Sequence, residues 1–209
     1  MMEFTILHTN DLHSDFASMP RIRSFFQAYE RKCPPKRLLR FDIGDHMDRM
    51  RPETEGTLGG ANIDVMNATG YDAAVPGNNE GLTFPRDALD DLYGRRAQFP
   101  VIATNLLRAG AEHAAPERVW NRRHLVIERD GVRFGLLGLT AAFNAFYQEL
   151  GWEATDPFAA AAAEVKLLRE GKQADVVILL SHLGINYDLR MAEEVQGIDL
   201  ILGGHIPTI

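Results

Sequence analysis

A single cysteine, Cys33, rules out an intrachain disulfide, so the chain is not a disulfide-stapled miniprotein. No apolar run approaches the ~20 residues needed to cross a bilayer, so no membrane partner is expected. Basic residues are in deficit, with 22 Lys and Arg against 29 Asp and Glu for a formal charge of -7. Without an arginine or lysine stripe to track a phosphate backbone, nucleic acid is not an expected partner either. The opening Met1-Met2-Glu3-Phe4 lacks the basic start and apolar stretch of a secretory signal. The expected compartment is therefore the cytoplasm, with a secreted or cell-wall form left open. Repeats, low-complexity tracts and linkers are missing as well.

What is present is core material: 45% of the 209 residues are hydrophobic, enough for one sizeable domain and too many for a disordered chain. Strand-like runs alternate with helical spacing, the pattern of an α/β protein. Phe4-Thr5-Ile6-Leu7 reads as a first strand, and 19–29, with Ile22, Phe25, Phe26 and Tyr29 at helical intervals, as the helix after it. Residues 38–43 form a second strand, and a short helix around Ile63 and Met66 closes at Gly70, suited to the left-handed C-terminal position. Ala73-Ala74-Val75 returns to the sheet, a helix runs from Pro85 to about residue 96, and Val101-Ile102-Ala103 follows as a strand.

From 124 to 139 two β runs flank Asp130-Gly131, a dipeptide suited to the positive φ angles of a tight hairpin, so the sheet is locally antiparallel. Asp156-Pro157 supplies an N-cap and a first-turn proline to a helix over 159–169. Residues 176–180 and Leu200-Ile201-Leu202 are the last strands, with 187–195 helical between them. The stretch 106–123 reads as an irregular surface loop.

The metal-type residues collect just past the C-terminal ends of these strands, where open α/β sheets place ligands. Asp11-Leu12-His13 follows the first strand, and in extended geometry an Asp-x-His aims both side chains to one side. Gly44-Asp45-His46-Met47-Asp48 follows the second, Gly77-Asn78-Asn79-Glu80 the third, and Ser181-His182 and Gly203-Gly204-His205 the last two. Any one of these alone is a common turn or strand end. The five in this order are not.

In that order the sequence resembles the calcineurin-like metallophosphoesterases, and Leu7-His8-Thr9-Asn10-Asp11-Leu12-His13 resembles their bacterial 5′-nucleotidase branch. The resemblance implies a four-layer α/β/β/α sandwich with mixed sheets. It also implies two divalent metal ions, with Mn, Zn, Fe, Co, Ni and Mg not distinguished, and hydrolysis of phosphate esters by an activated water. Carried over residue by residue, Asp11, His13 and Asp45 hold the first ion, and Asp45, Asn78, His182 and His205 the second. The expected substrate is a small phosphorylated molecule, a nucleotide or similar. Oligomeric state is left open.

Three departures from the family pattern stand out. Where the family has a histidine after Gly-Asn, supported by an aspartate three residues on, this chain has Asn79 and Leu82. Asn79 is carried as a catalytic position with Asp45, although an amide donates a hydrogen bond and delivers no proton. Where the family ends in a further metal ligand after Gly-His, this chain has Pro207, so the first ion is expected to be held more weakly. The sequence stops at Ile209, where the family continues with closing strands and a nucleoside-reading domain. Residues 1–209 therefore read as a catalytic domain, truncated at its C-terminal edge and expected to expose the strand at 200–202.

The remaining conspicuous residues read blandly. His8 is expected to pack or hydrogen-bond within its strand, His46 to sit in a solvated loop, and Asp48 to pair locally with Arg49. Trp120 and Trp152 read as core anchors, Glu193-Glu194 as a solvated helix face and Cys33 as a helix-end residue without a partner. The leading function is a two-metal phosphomonoesterase. The alternatives are a cyclic- or dinucleotide phosphodiesterase, whose better leaving group has less need of an acid at position 79, and a catalytically impaired metal- or nucleotide-binding domain.

Overall fold

The computed structural model describes residues 2–108 and 120–205. The chain begins with β1 (Thr5–Thr9), α1 (Met19–Glu30) and β2 (Leu38–Asp42), followed by α2 (Pro52–Gly56), α3 (Gly60–Thr69) and β3 (Ala73–Ala74). Gly70 ends α3 in the left-handed conformation, at φ 82°. Next come α4 (Asn78–Thr83), α5 (Arg86–Asp91) and β4 (Val101–Ile102). The helix read over 85–96 is α5 plus a wider π turn at Leu92–Arg96. The stretch read as irregular carries β5 (Leu106–Arg108) and β6 (Asn121–Arg122) at its ends, while 109–119 lie outside the described residues.

The second half contains β7 (His124–Arg129), β8 (Val132–Thr140), α6 (Asn144–Tyr147) and β9 (Trp152–Ala154). It ends with α7 (Pro157–Lys166), β10 (Val176–His182), α8 (Ile185–Glu194) and β11 (Leu200–Gly203). The β7–β8 turn uses positive φ at both Asp130 (49°) and Gly131 (80°), as a tight hairpin requires. Asp156 caps α7 by accepting the Ala159 N–H at 2.7 Å.

One sheet, ordered β1-β2-β3-β4-β6, is wholly parallel. The other, β11-β10-β8-β7, is mixed because only the hairpin pair is antiparallel. A small antiparallel β5–β9 ribbon lies apart. The period-2 alternation of the buried strands explains the layering. On β8 and β10, Leu136 and Ile178 face Phe41 and Ile102 of the first sheet. Their alternates Leu137 and Val177 face Ala161 and Val165 of α7 and Met191 of α8. The first sheet covers its other face with Phe26 of α1 and Ile63 and Met66 of α3. The result is helix, sheet, sheet, helix, with the C-terminal ends of β1, β2, β3, β10 and β11 converging at one edge. No helix among the described residues is long and apolar enough to cross a membrane.

Candidate metal centre

The loop after β1 is not extended. Asp11, His13 and Ser14 all adopt positive φ, at 53°, 43° and 57°, so the expected extended Asp-x-His geometry is replaced by a left-handed turn. Neighbouring backbone enforces it: Asp11 N–H donates to the Gly44 carbonyl, His13 N–H to that of Asp45 and Ser14 N–H to that of His46. Asp45 and His205 are left-handed too, at 52° and 59°. Such conformations cost free energy in residues with a Cβ and persist only where the surroundings over-determine them.

Asp45 occupies the centre. Its Oδ1 lies 3.3 Å from His182 Nε2 and accepts the Asn79 N–H at 2.8 Å. Its Oδ2 lies 3.8 Å from His13 Nε2. Asp11 reaches the same His13 nitrogen at 3.9 Å, and its Oδ2 accepts the His205 N–H, which ties the β1 and β11 loops together. Two groups of ligand atoms result, Asp11-His13-Asp45 and Asp45-His182-His205, each with its atoms within 4.8 Å of one another. Asp45 belongs to both.

The hydrogen bonding also selects the tautomer that can accept a cation. His182 is fully buried, and its Nδ1 donates to the Ile43 carbonyl at 2.6 Å, leaving Nε2 as the lone-pair nitrogen. That Nε2 makes no hydrogen bond, and neither does the buried Oδ1 of Asn78 at the start of α4. Buried polar atoms without partners are uncommon and call for an explanation, which a cation held between these groups would supply.

The electrostatics follow from burial and proximity. Burial alone would raise the Asp45 carboxyl, but His182, the Asn79 N–H and His13 outweigh it and hold it below the ordinary carboxylate range. Burial opposes charge on His182, yet Asp45 and the Ile43 carbonyl raise its basicity. His205 moves down, through burial and then the charge of His182.

Two further residues contact the candidate ligands without a strong sequence signal. Glu80, fully buried, accepts backbone N–H groups from Gly77 (2.7 Å), Asp45 (3.1 Å) and Met47 (2.8 Å), pinning two ligand loops together. Its place three residues after Gly77, within reach of a helix N-cap, is the sequence signal that marks it. Asp48 does not pair with Arg49, which instead grips Glu55 and the Thr83 carbonyl. Asp48 Oδ2 turns to within 3.6 Å of His13 Nδ1.

His46 is not solvated but 2% exposed, with Nδ1 3.2 Å from Asp42 Oδ2, because the loop folds inward over Tyr71. His8 points outward on the edge strand β1 rather than packing or hydrogen-bonding in the sheet. Cys33 contacts Thr5 Oγ1 at 3.4 Å. Trp120 and Trp152 are core residues in edge-on contact, and Glu193 and Glu194 are solvated, both as expected. Pro207 lies outside the described residues. A concavity of about 690 Å³ near Tyr93, Phe99 and Trp120 holds none of the metal-type residues.

This fold and this convergence of carboxylates, imidazoles and an amide define a metal-dependent phosphoesterase class. The pattern of the calcineurin-like phosphoesterases matches residues 4–208, and the chain belongs to that family. It is 39% identical over 202 residues to the Bacillus subtilis (strain 168) metallophosphoesterase YunD, covering 96% of this chain and 42% of YunD. It is 28% identical to the trifunctional nucleotide phosphoesterase YfkN of the same organism, over 100% of this chain and 16% of that protein. The solved 5′-nucleotidase precursor from Thermus thermophilus superposes with a TM-score of 0.79 at 24% identity, over 97% of this chain and 41% of that one. The chain thus spans less than half the length of these relatives.

Proposed function

We propose that residues 1–209 form a catalytic unit that hydrolyses phosphate esters of nucleotides or similar small phosphates, using two divalent ions held on either side of Asp45. The observation that carries this reading is that the two carboxylate oxygens of Asp45 face different imidazoles, Oδ1 toward His182 and Oδ2 toward His13. Asp11, His13 and Asp45 would hold one ion, and Asp45, Asn78, His182 and His205 the other. Ions bound there supply charge neutralisation at the phosphoryl group and acidify a water for in-line attack.

The chain's own residues set up that chemistry. The Ile43 carbonyl fixes the His182 tautomer, and the His205 N–H steadies Asp11. Asn79 stands where 5′-nucleotidases carry a histidine, and it has no proton to give a leaving oxygen. Its backbone N–H instead holds Asp45. The family membership, together with the similarity to the nucleotide phosphoesterase YfkN, supports a nucleotide-type substrate.

A second reading follows from the same amide: diesters, whose leaving groups need less protonation, suit a site without an acid at position 79. Turnover of p-nitrophenyl phosphate, nucleoside monophosphates and 2′,3′-cyclic nucleotides, with Mn, Co, Ni, Zn or Mg added, tests both readings. Metal-dependent release of phosphate from monophosphates supports the first, and preference for the cyclic esters the second. Metal binding without turnover of any substrate would favour a binding domain over an enzyme.

A further inference from the structure

The two imidazoles that flank Asp45 are oriented by different means. His182 is set by a backbone carbonyl, but His13 Nδ1 meets side chains, Asn79 Nδ2 at 2.8 Å and Asp48 Oδ2 at 3.6 Å. The opposite ring nitrogen, Nε2, faces the carboxylates of Asp11 and Asp45. A neutral imidazole offers a lone pair at Nε2 only when Nδ1 carries the proton, and that N–H then needs an acceptor.

Asp48 presents such an acceptor, and Asn79, whose amide lies with Nδ2 toward His13 Nδ1, presents one once that amide is turned. Asp48 accepts the Met50 N–H on Oδ1, which leaves Oδ2 for His13, and its own N–H donates to Ser14 Oγ, next to His13. Asn79 is anchored by its backbone: its N–H donates to Asp45 and its carbonyl accepts from Thr83 Oγ1 at 2.6 Å. A half-turn of its amide exchanges nitrogen for oxygen at His13 Nδ1.

We propose that Asn79 and Asp48 are positioning residues that hold His13 with its proton on Nδ1 and thereby expose Nε2 as a metal ligand. The residue that replaces the family histidine thus serves the metal site rather than the leaving group. This rests on the two-ion reading above.

The test uses the chain with Asn79→Leu, Asn79→Asp and Asp48→Asn. It combines calorimetric titration with Mn or Zn and ¹⁵N–¹H NMR of the imidazoles, His13 being assigned by its loss in His13→Gln. The parent is expected to bind two ions with His13 in the Nδ1–H form. Asn79→Leu should weaken one binding event by about 10–100-fold and move His13 toward the Nε2–H form. Asn79→Asp, a pure acceptor, should keep the parental tautomer and affinity. Asp48→Asn should weaken the same event, which keeps the test decisive if Asn79→Leu does not fold. The metal concentration that gives half-maximal turnover should rise in Asn79→Leu by a similar factor.

Unchanged affinities and an unchanged His13 tautomer in Asn79→Leu and Asp48→Asn would overturn the proposal alone. A turnover defect that persists at saturating metal would also overturn it, in favour of an Asn79 that acts on the substrate. A parent that binds fewer than two ions would instead overturn the two-ion reading on which it rests.

Discussion

Glu80 and Asp45 are joined through the backbone: the buried Glu80 carboxylate accepts the Asp45 N–H at 3.1 Å and holds the Gly77 N–H on the same oxygen. Burial first, and then the charge of Asp45, push the Glu80 carboxyl above its ordinary range, against the backbone N–H groups and the nearby His182 that favour the carboxylate. Removing it leaves those N–H groups unpaired in the interior. Glu80→Ala is expected to lower stability by about 3 kcal/mol, read as a shift in the urea midpoint at unchanged slope. Glu80→Gln, which keeps an acceptor for part of the set, should lose less. Equal, small losses in both variants would show that the amides find other partners.

Gly77 gives a second, steric handle on the same junction. A Cβ there would fall on the backbone nitrogen and carboxylate of Asp45. Gly77→Ala should therefore displace Asp45 and weaken binding of both ions, with a stability loss of about 1–3 kcal/mol. Calorimetric metal titration of a variant that still folds checks this. Parental affinity for both ions would mean that the loops can part without disturbing Asp45.

At the opposite end of the strands, Asp130 is gripped by Lys36 at 2.6 Å and Arg37 at 2.5 Å, linking the β7–β8 hairpin to the turn that precedes β2. The hydrogen bonds from Lys36 and Arg37 hold its carboxyl below the usual range. A carboxyl with a depressed folded-state pKa contributes stability above its unfolded value, about 3.9, and loses it as the pH falls through the folded value. Asp130→Asn keeps a residue tolerant of positive φ and removes only the charge. Its melting temperature should sit below the parent's at pH 7, with the gap closing as the pH drops below about 4. A gap independent of pH would assign the effect to the turn instead of the charge.

The sequence made most of the scaffold legible because its signals are local. Asp130-Gly131, the Gly70 stop and Asp156-Pro157 each act within a few residues, and the apolar runs at 134–139 and 176–180 read as strands, which the structure buries on both faces. The candidate ligand positions follow from their order along strand ends, and the structure brings five of them into the two groups that share Asp45. Asn78 stands beside them with its buried, unpartnered oxygen. The left-handed turn at Asp11 and His13 was not legible, since it is imposed by carbonyls of Gly44 and Asp45 that are distant in sequence. The burial of His46 depends on Tyr71 and Asp42 closing over it, and the inward turn of Asp48 on the competing partner Glu55 for Arg49. Short ribbons such as β5–β9 carry too few residues to show a period.

Asp45→Asn removes one negative charge and one strong donor from the residue shared by the two groups, so in the proposed two-ion site cation–cation repulsion would be less screened. Metal-dependent hydrolysis should fall to background and both binding events should weaken. His182→Ala should weaken mainly one event, because His182 belongs to one group. Competitive titration with a chelating dye distinguishes the two patterns, and a fully active Asp45→Asn would remove the shared-ligand assignment.

The most direct measurement is anomalous diffraction from crystals grown with Mn or Zn, recorded at the metal edge. Two peaks are expected, one among Asp11, His13 and Asp45 and the other among Asp45, Asn78, His182 and His205, with Asp45 between them. A single peak, or peaks that do not share Asp45, would contradict the two-ion site.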